Sequence, residues 1–384
     1  MTKILTWFIV AAVVVIGGLA ILSRPAEADT IKIGAILPLT GDAVSYGESE
    51  SRAIQIAVGE INDGGGLSGK KIELVIEDGK CDPQSAGTAA KKLVEFDEVK
   101  VIIGGACSGE TLAAAEITEP AKIILISPSA SSPKVTTAGD FVFRTYPSDA
   151  LAGQIAASYS AGELKAKKAA VVTELTDYAQ GLREVYKQSL ANLGGQIVAD
   201  ETFTTGDTDF RTQILKIKAA KPDVVYIVPQ SLTPGLALLK QLRENGVKAT
   251  IATAEVLLDR KAVEENSAIL EGVVGVESAV DWDNNPKAKA LRDAHRLKYD
   301  GADPGTFAAN AYDAVYLIGE AIQATASEGI DVDTEKIRDW LYAVKNWPGA
   351  IGPLTIDENG DPVMGENVRK IEKGEVKDLG PYTP

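Results

Sequence analysis

The sequence predicts an α/β protein of two doubly wound parallel-sheet lobes joined by three hinge crossings. The first reason is that apolar, strand-like runs alternate with amphipathic, helix-like stretches along the chain after residue 29. Such alternation is typical of βαβ units, which form parallel sheets with helices on both faces. The second reason is length, since 384 residues exceed the ~250–300 residues that one hydrophobic core usually supports.

The predicted elements follow one another in regular order. Several strand-like runs are apolar at consecutive positions, as strands buried on both faces of a parallel sheet are. Strands are predicted at residues 31–37, 71–77, 99–103, 122–126, 169–173, 196–201 and 223–228. Helices are predicted between them at residues 50–61, 86–96, 111–120, 181–193, 209–219 and 234–244.

Three segments break the alternation, and we expect them to carry the chain between the lobes. They lie near residues 144–148, in the acidic, helix-breaking segment 277–286, and around Pro348 and Pro353. The resulting division is an N-terminal lobe of residues 29–147 and 277–350 and a C-terminal lobe of residues 148–276 and 351–384. Ligands of open parallel sheets bind outside the carboxyl ends of the strands, so we expect a binding cleft between the lobes.

The first 28 residues are predicted to direct export. Lys3 precedes an apolar run of nineteen residues, 4–22, which is followed by Ala26-Glu27-Ala28. This is the pattern of a signal peptide, with cleavage expected before Asp29. Because nineteen residues are close to the ~20 that span a bilayer, an uncleaved membrane anchor is the alternative. No cysteine stands next to the run, which excludes a lipid anchor there. We expect a periplasmic or otherwise extracytoplasmic protein.

The chain is acidic, with a net charge of −15 at pH 7. Nucleic acids and anionic lipids are bound by clusters of Lys and Arg, so a charge of this sign argues against both as partners. A strong net charge also keeps an exported protein soluble. We expect a monomer.

The sequence contains two cysteines, Cys81 and Cys107, and one histidine, His295. In an oxidising compartment the cysteines indicate one disulfide, and two buried free thiols are the alternative. Residues 105–109, Gly-Ala-Cys-Ser-Gly, also resemble a nucleophile elbow with cysteine in the serine position. Such a nucleophile needs a histidine base. We expect His295 to be a surface residue of a helix, so a cysteine hydrolase is the less favoured alternative.

Two further motifs are interpreted as turns. Residues 64–71, Gly-Gly-Gly-Leu-Ser-Gly-Lys-Lys, come within one residue of a phosphate-binding loop, but they follow a helix and enter a strand, the reverse of the required order. Residues 357–361 are acidic but lack the glutamate that completes a calcium-binding loop. We expect a helix stop at the first and a hairpin turn at the second, and neither a metal ion nor a cofactor.

Ser108 stands where the N-cap of a helix belongs, directly after a predicted strand. The unpaired backbone N–H groups and the positive end of the dipole at a helix start form a ready site for a carboxylate. An ordinary capping serine is the alternative interpretation.

A set of short segments spread over nearly all of residues 30–365 forms a specific pattern. The segments are residues 33–41 (Ile-Gly-Ala-Ile-Leu-Pro-Leu-Thr-Gly), Tyr46-Gly47, residues 61–66 (Ile-Asn-Asp-Gly-Gly-Gly), Cys81-Asp82-Pro83, Cys107-Ser108, residues 127–131 (Ser-Pro-Ser-Ala-Ser), Tyr178, Gly181 and residues 352–354 (Gly-Pro-Leu). Together they resemble the branched-chain amino-acid (leucine/isoleucine/valine-type) periplasmic binding proteins of ABC transporters, which have the type I periplasmic-binding-protein fold.

The resemblance implies a disulfide between Cys81 and Cys107. It also implies that the ligand carboxylate is held by Ser108 and by the loop after the next strand, through Ser129 and Ser131. Relatives often have threonine where this chain has Ser131, which is still a hydroxyl donor.

The resemblance further implies that Glu255, in the second lobe, holds the ligand ammonium group. Tyr178 matches the tyrosine that closes over the ligand, and Tyr46 matches one wall of the side-chain pocket. This chain departs from some relatives after the predicted strand 223–228, where Gln230 and Ser231 stand instead of an aromatic residue. A polar residue there argues against strict selectivity for leucine-like side chains.

The function that the resemblance implies is capture of an amino acid, branched-chain or otherwise small and aliphatic, and its delivery to the permease of an ABC importer. Neither catalysis nor a cofactor is expected. Binding of short amides, urea or aromatic acids is the alternative within the same kind of protein. A sensor ectodomain would require a permanent membrane anchor at the N-terminus.

Overall fold

The structure, a computed structural model, describes residues 30–326 and 332–384. The predicted signal sequence therefore lies outside the described residues. Among the helices of the described part, none is long and apolar enough to span a bilayer.

The described residues form fourteen strands and eleven α-helices, and every strand and helix bounded in the sequence analysis overlaps one of them. The strands are β1 (Thr30–Leu37), β2 (Lys71–Asp78), β3 (Val101–Gly104), β4 (Ile124–Ser127), β5 (Val142–Arg144), β6 (Lys168–Glu174), β7 (Gln196–Phe203), β8 (Val224–Val228), β9 (Thr250–Ala254), β10 (Val274–Glu277), β11 (Trp347–Gly349), β12 (Gly352–Leu354), β13 (Asn367–Glu372) and β14 (Glu375–Pro381). The helices are α1 (Val44–Asp63), α2 (Pro83–Glu95), α3 (Ser108–Thr118), α4 (Asp149–Gly162), α5 (Asp177–Asn192), α6 (Arg211–Ala220), α7 (Leu232–Glu244), α8 (Arg260–Leu270), α9 (Pro286–Lys298), α10 (Ala308–Thr325) and α11 (Thr334–Tyr342).

The strands form two large sheets, each the centre of one lobe. The first sheet has the order β2-β1-β3-β4-β5 and is parallel throughout. The second has the order β14-β13-β10-β9-β8-β6-β7, and only β13 and β14 in it run antiparallel to their neighbours. The prediction of two doubly wound parallel sheets is confirmed.

Each sheet is covered by helices on both faces, which gives each lobe two layers of core. In the first lobe, Ile33 and Ile36 of β1 point to opposite faces and belong to separate apolar clusters. The first cluster includes side chains of α1, α9, α10 and α11, and the second includes side chains of α2 and α3. In the second lobe, α4 and α5 cover one face, and α6, α7 and α8 cover the other.

The last passage between the lobes lies further along the chain than the sequence indicated. Ile351, Leu354 and Ile356 are buried in the core of the first lobe, and the second sheet is entered only at Asn367. The boundary predicted after residue 350 is therefore too early. The reason is that the Pro and Gly residues there form a tight antiparallel pair, β11 with β12, inside the first lobe.

His295 is buried, with 1% of its surface exposed, so the prediction of a surface position is wrong. Ala288, Leu291 and His295 lie on one face of α9, and this face is buried. The ring is fixed by a hydrogen bond between Nδ1 and the carbonyl oxygen of Ala302, at 2.8 Å. The residue is therefore part of the packing of the first lobe.

Both segments interpreted as turns have the expected form. Gly64 caps α1, and the chain turns through residues 65–70 into β2. The backbone N–H of Asp357 donates to the carbonyl oxygen of Asp361 at 2.8 Å, which closes the second turn. In the described part of the chain, no three His, Cys, Asp or Glu side chains are placed to hold a metal ion.

Candidate functional site

Cys81 and Cys107 form a disulfide with a Cα–Cα distance of 5.3 Å. It joins the loops that follow β2 and β3, at the carboxyl edge of the first sheet. The buried carboxylate of Glu110 accepts hydrogen bonds from the backbone N–H groups of both cysteines, at 2.8 and 2.9 Å. Burial raises the pKa of Glu110 to about 7, although these hydrogen bonds oppose the shift. Because the sulfur of Cys107 is bonded, the thiol required by the hydrolase alternative is absent.

Ser108 and Ser131 come together at the start of α3, where Cys107 is the N-cap and Ser108, predicted as the cap, is the first helical residue. Ser108 is buried, and its Oγ accepts a hydrogen bond from the backbone N–H of Ser132 at 3.1 Å. This bond fixes the hydroxyl oxygen and leaves the hydroxyl hydrogen free to donate. Ser131 Oγ is also buried. It lies close to Asp149, whose pKa it lowers, but it is not in good hydrogen-bonding geometry with any partner in the described residues. Two hydroxyl donors therefore stand beside the positive end of a helix dipole.

Ser129 has a different environment from the other two serines. Its Oγ lies 2.6 Å from Glu50 Oε1 and 2.8 Å from the carbonyl oxygen of Ala106. Burial raises the pKa of Glu50 to about 8, so near neutral pH the acid proton can donate to Ser129, which in turn donates to Ala106. In this arrangement the Ser129 hydroxyl is engaged inside the first lobe, and the geometry does not support its expected contact with a ligand carboxylate.

Glu255 follows β9, at the carboxyl edge of the second sheet, and begins a short 3-10 helix. Only 5% of its surface is exposed. Burial raises its pKa to about 7, and this effect outweighs the nearby hydroxyl of Tyr178, which lowers the pKa. Tyr178, in the first turn of α5, is also buried, and its hydroxyl lies beside the Glu255 carboxyl group. A sequence-predicted anion and a tyrosine hydroxyl thus lie together in the second lobe.

Tyr46 projects from the first turn of α1. Its ring lies 5.7 Å from that of Phe307, which in turn lies 5.1 Å from the ring of Tyr146. The pKa of Tyr46 is raised by burial and, second, by the negative charge of Glu255, so Tyr46 lies within electrostatic range of Glu255 in the other lobe. Phe307 and Tyr146 complete an aromatic wall that the sequence analysis did not identify, because neither belongs to a recognisable motif.

The two lobes are in contact along the rim of the cleft. Lys134 Nζ lies 2.7 Å from Asp177 Oδ1, and Ser132 Oγ donates to the carbonyl oxygen of Asp177 at 3.1 Å. On another part of the rim, Thr306 Oγ1 donates to Asp259 Oδ2 at 2.8 Å. These contacts, together with the burial of Ser108 and Glu255, describe a closed cleft.

Gln230 and Ser231 differ in the direction they face. The amide of Gln230 reaches the first lobe and donates to Cys81 Sγ. Ser231 is held within the second lobe, since its backbone N–H and its hydroxyl both bind the carboxylate of Glu174, at 3.0 and 3.2 Å. Gln230 therefore connects the two lobes, whereas Ser231 does not.

Three further acidic side chains near Glu255 were not singled out from the sequence. They are Asp149 at the start of α4, Glu277 at the end of β10 and Glu366 directly before β13. Besides burial, the charge of Glu255 raises the pKa of Asp149 and of Glu277. The pKa of Glu366 is raised by burial and then by the charges of the other acidic side chains of this group. Only the fold brings them together, because they come from three distant parts of the chain.

An open groove lies between α4 and α5, beside Pro384. None of the residues predicted to bind a ligand lines it. The cleft between the sheets is therefore the candidate site.

Comparison with known proteins identifies the family of the chain. The family described as periplasmic binding protein matches residues 30–375. The chain is 33% identical over 352 residues to the leucine-, isoleucine-, valine-, threonine-, and alanine-binding protein of Pseudomonas aeruginosa, and the alignment covers 91% of each protein.

Two crystal structures share the fold. The leucine-binding protein LivK of Thermotoga maritima has a TM-score of 0.84 and 28% identity, over 92% of this chain and 99% of that one. The branched-chain amino acid transporter substrate-binding protein LivJ of Streptococcus pneumoniae, in complex with isoleucine, has a TM-score of 0.82 and 31% identity, over 92% of this chain and 100% of that one. A match in sequence and in fold over nearly all of the described residues shows that this chain belongs to the periplasmic binding protein family.

Proposed function

We propose that the protein captures an α-amino acid with a small, aliphatic side chain in the cleft between its lobes and delivers it to the permease of an ABC importer. The observation that carries the proposal is that the two sides of one buried cleft suit groups of opposite charge. Hydroxyl donors and a helix start lie on the first lobe, and a buried carboxylate lies on the second. Family membership supports an extracytoplasmic, non-catalytic role.

The first-lobe half of the cleft suits a carboxylate. Ser108 and Ser131 offer two hydroxyl donors, and the first turn of α3 offers unpaired backbone N–H groups. Hydrogen bonds to an ionised carboxylate are about twice as strong as those between neutral groups. A ligand carboxylate would satisfy Ser131 Oγ, which has no partner among the described residues.

The second-lobe half suits an ammonium group. Glu255 is buried and pairs with no cationic side chain in the described residues, and a buried carboxylate without a counter-charge costs several kcal/mol. A ligand ammonium group would offset this cost. Because carboxylate and ammonium are bound by different lobes, the ligand itself favours the closed state.

The side-chain specificity is inferred from the aromatic wall and the relatives. Tyr46 and Phe307 offer apolar ring surface, which suits an aliphatic side chain. The Pseudomonas aeruginosa and Streptococcus pneumoniae proteins are named or crystallised as binders of such amino acids. The same proposal includes export directed by the N-terminal segment, with or without a retained anchor. It also includes a monomeric state.

A ligand screen by thermal shift tests the proposal. The purified protein is heated with each of the twenty amino acids and with urea, short amides and aromatic acids. A ligand present at ~100 times its dissociation constant stabilises the protein by ~2.7 kcal/mol. We expect stabilisation by aliphatic amino acids. Stabilisation by the amides or aromatic acids alone would contradict the amino-acid proposal and favour the alternative.

The Glu255→Gln variant tests the ammonium contact. Loss of one partner of a buried charged pair costs ~2–5 kcal/mol, so we expect amino-acid affinity to fall by a factor of roughly 30 or more by calorimetry. Glu264→Gln, at an exposed position in α8 of the same lobe, is the matched control and should bind as the parent does. Equal affinity in the two variants would remove Glu255 from the site.

A further inference from the structure

Four acidic side chains converge on the floor of the cleft in the second lobe. Glu255 and Glu277 stand at the carboxyl ends of the neighbouring strands β9 and β10. Glu366 precedes β13, which pairs with β10 so that Asn367 lies opposite Glu277. Asp149 opens α4, which packs against β9 and β10. The topology of the second sheet thus gathers one acid from each of four segments.

The cationic side chains nearby do not balance these acids. Arg369 pairs with Glu277 at 3.2 Å and with Asp378 at 2.8 Å. Arg144 is bound to Asp361 through two hydrogen bonds, at 2.5 and 2.7 Å, and its charge acts on Asp149 without forming an ion pair with it. Within the described residues, Asp149, Glu255 and Glu366 have no ion-pair partner. Three buried carboxyl groups therefore remain, whereas the single ammonium group of an aliphatic amino acid can offset only one.

Unsatisfied polar atoms mark the same place. Asp149 Oδ2, Glu366 Oε2 and the hydroxyl oxygen of Tyr226 are buried without a hydrogen-bond partner in the described residues. Tyr226 is held in position by stacking on Tyr186, with ring centroids 4.1 Å apart. Burial, and next the charge of Asp149, raise the pKa of Tyr226 and of Glu366, which shows that these groups act on one another. Buried polar groups in folded proteins are nearly always hydrogen-bonded, so these three atoms need a partner.

The chemistry of that partner follows from charge and spacing. A single metal ion does not fit, because the described residues contain no set of acidic side chains arranged as metal ligands. An organic cation with its own N–H donors fits better, since it is larger than a metal ion and can donate to more than one acceptor.

We propose that Asp149, Glu366 and Tyr226 form a second subsite in the cleft, next to Glu255, which binds the side-chain ammonium or guanidinium group of a basic α-amino acid. The inference rests on the proposed function, since it adds basic amino acids to the aliphatic ones that the cleft accepts. A ligand with two cationic groups can pair with two of the three acidic side chains that have no ion-pair partner in the described residues.

Isothermal titration calorimetry with matched ligand pairs tests the subsite. Lysine is compared with norleucine, ornithine with norvaline, and arginine with citrulline, at about pH 8, which lies above the pKa of about 7 to which burial raises Glu255. We expect the cationic member of at least one pair to bind about tenfold more tightly. The lysine and arginine pairs distinguish ammonium from guanidinium.

The outcomes separate the two proposals. If neutral members bind as tightly as cationic ones while leucine binds well, the second subsite is wrong and the proposed function stands. If no amino acid binds, leucine included, the proposed function itself fails.

Variants of the subsite residues test whether these residues cause the preference for cationic ligands. Glu366→Gln and Asp149→Asn should each reduce the ratio of cationic to neutral affinity about fivefold or more, and Glu366→Asp should restore part of it. Glu375→Gln, exposed on β14 of the same sheet, is the control and should keep the parental ratio. Should Glu366→Gln fail to fold by circular dichroism, Tyr226→Phe removes only a hydroxyl and should still lower the ratio. An unchanged ratio in every folded variant would overturn the proposal.

Discussion

At the scale of single residues, burial decides what each side chain of the cleft can do. Ser108 and Ser131 keep hydroxyl hydrogens available, whereas Ser129, two residues from Ser131, is engaged by Glu50. The sequence shows three serines of equal donor capacity. The difference arises from the position of Glu50 on α1, far away in the chain, and so could not be predicted from the local motif.

The ionisation of Glu255 gives a prediction for ligand affinity. Its pKa, raised to about 7 by burial, means that the carboxylate needed for the ammonium contact forms only as the pH rises toward that value. We expect the affinity for leucine to increase between about pH 5.5 and 7.5, by up to tenfold per pH unit below the pKa, and then to level off. Calorimetric titrations across this range measure the effect.

The Glu255→Gln variant is the control for this pH dependence. Its weaker affinity should vary little over the same range, because the titrating group is gone. A parental affinity that is flat with pH would show that Glu255 is already ionised at pH 5.5 in the ligand-free protein.

At the scale of elements, the first turn of α1 is fixed against the loop after β1. A Cβ atom placed on Gly47 would come within 2.0 Å of the carbonyl oxygen of Pro38. Gly47 stands next to Tyr46, so the close approach of helix and loop also sets the position of the aromatic wall. In contrast, a Cβ atom on Gly59, further along the same helix, would contact nothing within 4 Å.

These two glycines allow a matched test within one helix. Gly47→Ala should lower the free energy of unfolding by ~1–3 kcal/mol, the usual cost of overpacking, and should weaken ligand binding through displacement of Tyr46. Gly59→Ala should raise it by up to ~1 kcal/mol, since alanine is the better helix former. Urea unfolding followed by circular dichroism measures both, and equal stability of the two variants would contradict this view of α1.

The elements also show how far sequence reasoning extends. Apolar runs such as that of β1 are determined by the local residue pattern, and their prediction was confirmed. Residues 348–353 were misinterpreted because a tight pair of short strands uses the same Pro and Gly residues as a crossing between lobes. His295 was misplaced because its polarity outweighed the apolar spacing of Ala288 and Leu291 on the same helix face. The acidic cluster requires the assembled second sheet, which no local pattern reveals.

At the scale of the whole molecule, acidic groups buried in both lobes make stability depend on pH. Burial raises the pKa of Glu50 to about 8 and the pKa values of Glu110, Glu255, Glu277 and Asp313 to about 7. A carboxyl group whose pKa is higher in the folded than in the unfolded state binds more protons when folded over the interval between the two values. The free energy of unfolding therefore falls as the pH rises through that interval.

For the ligand-free protein, this predicts a urea midpoint that decreases steadily from about pH 5 to pH 8. Saturating amino acid should flatten the decrease, because an ammonium group beside Glu255 stabilises the ionised form that the empty cleft disfavours. The Glu255→Gln protein should show a shallower decrease without ligand and little response to it. A midpoint that instead rises over this range would mean that the buried carboxyl groups are stabilised as anions in the folded protein, and that the cleft needs no cationic ligand to balance them.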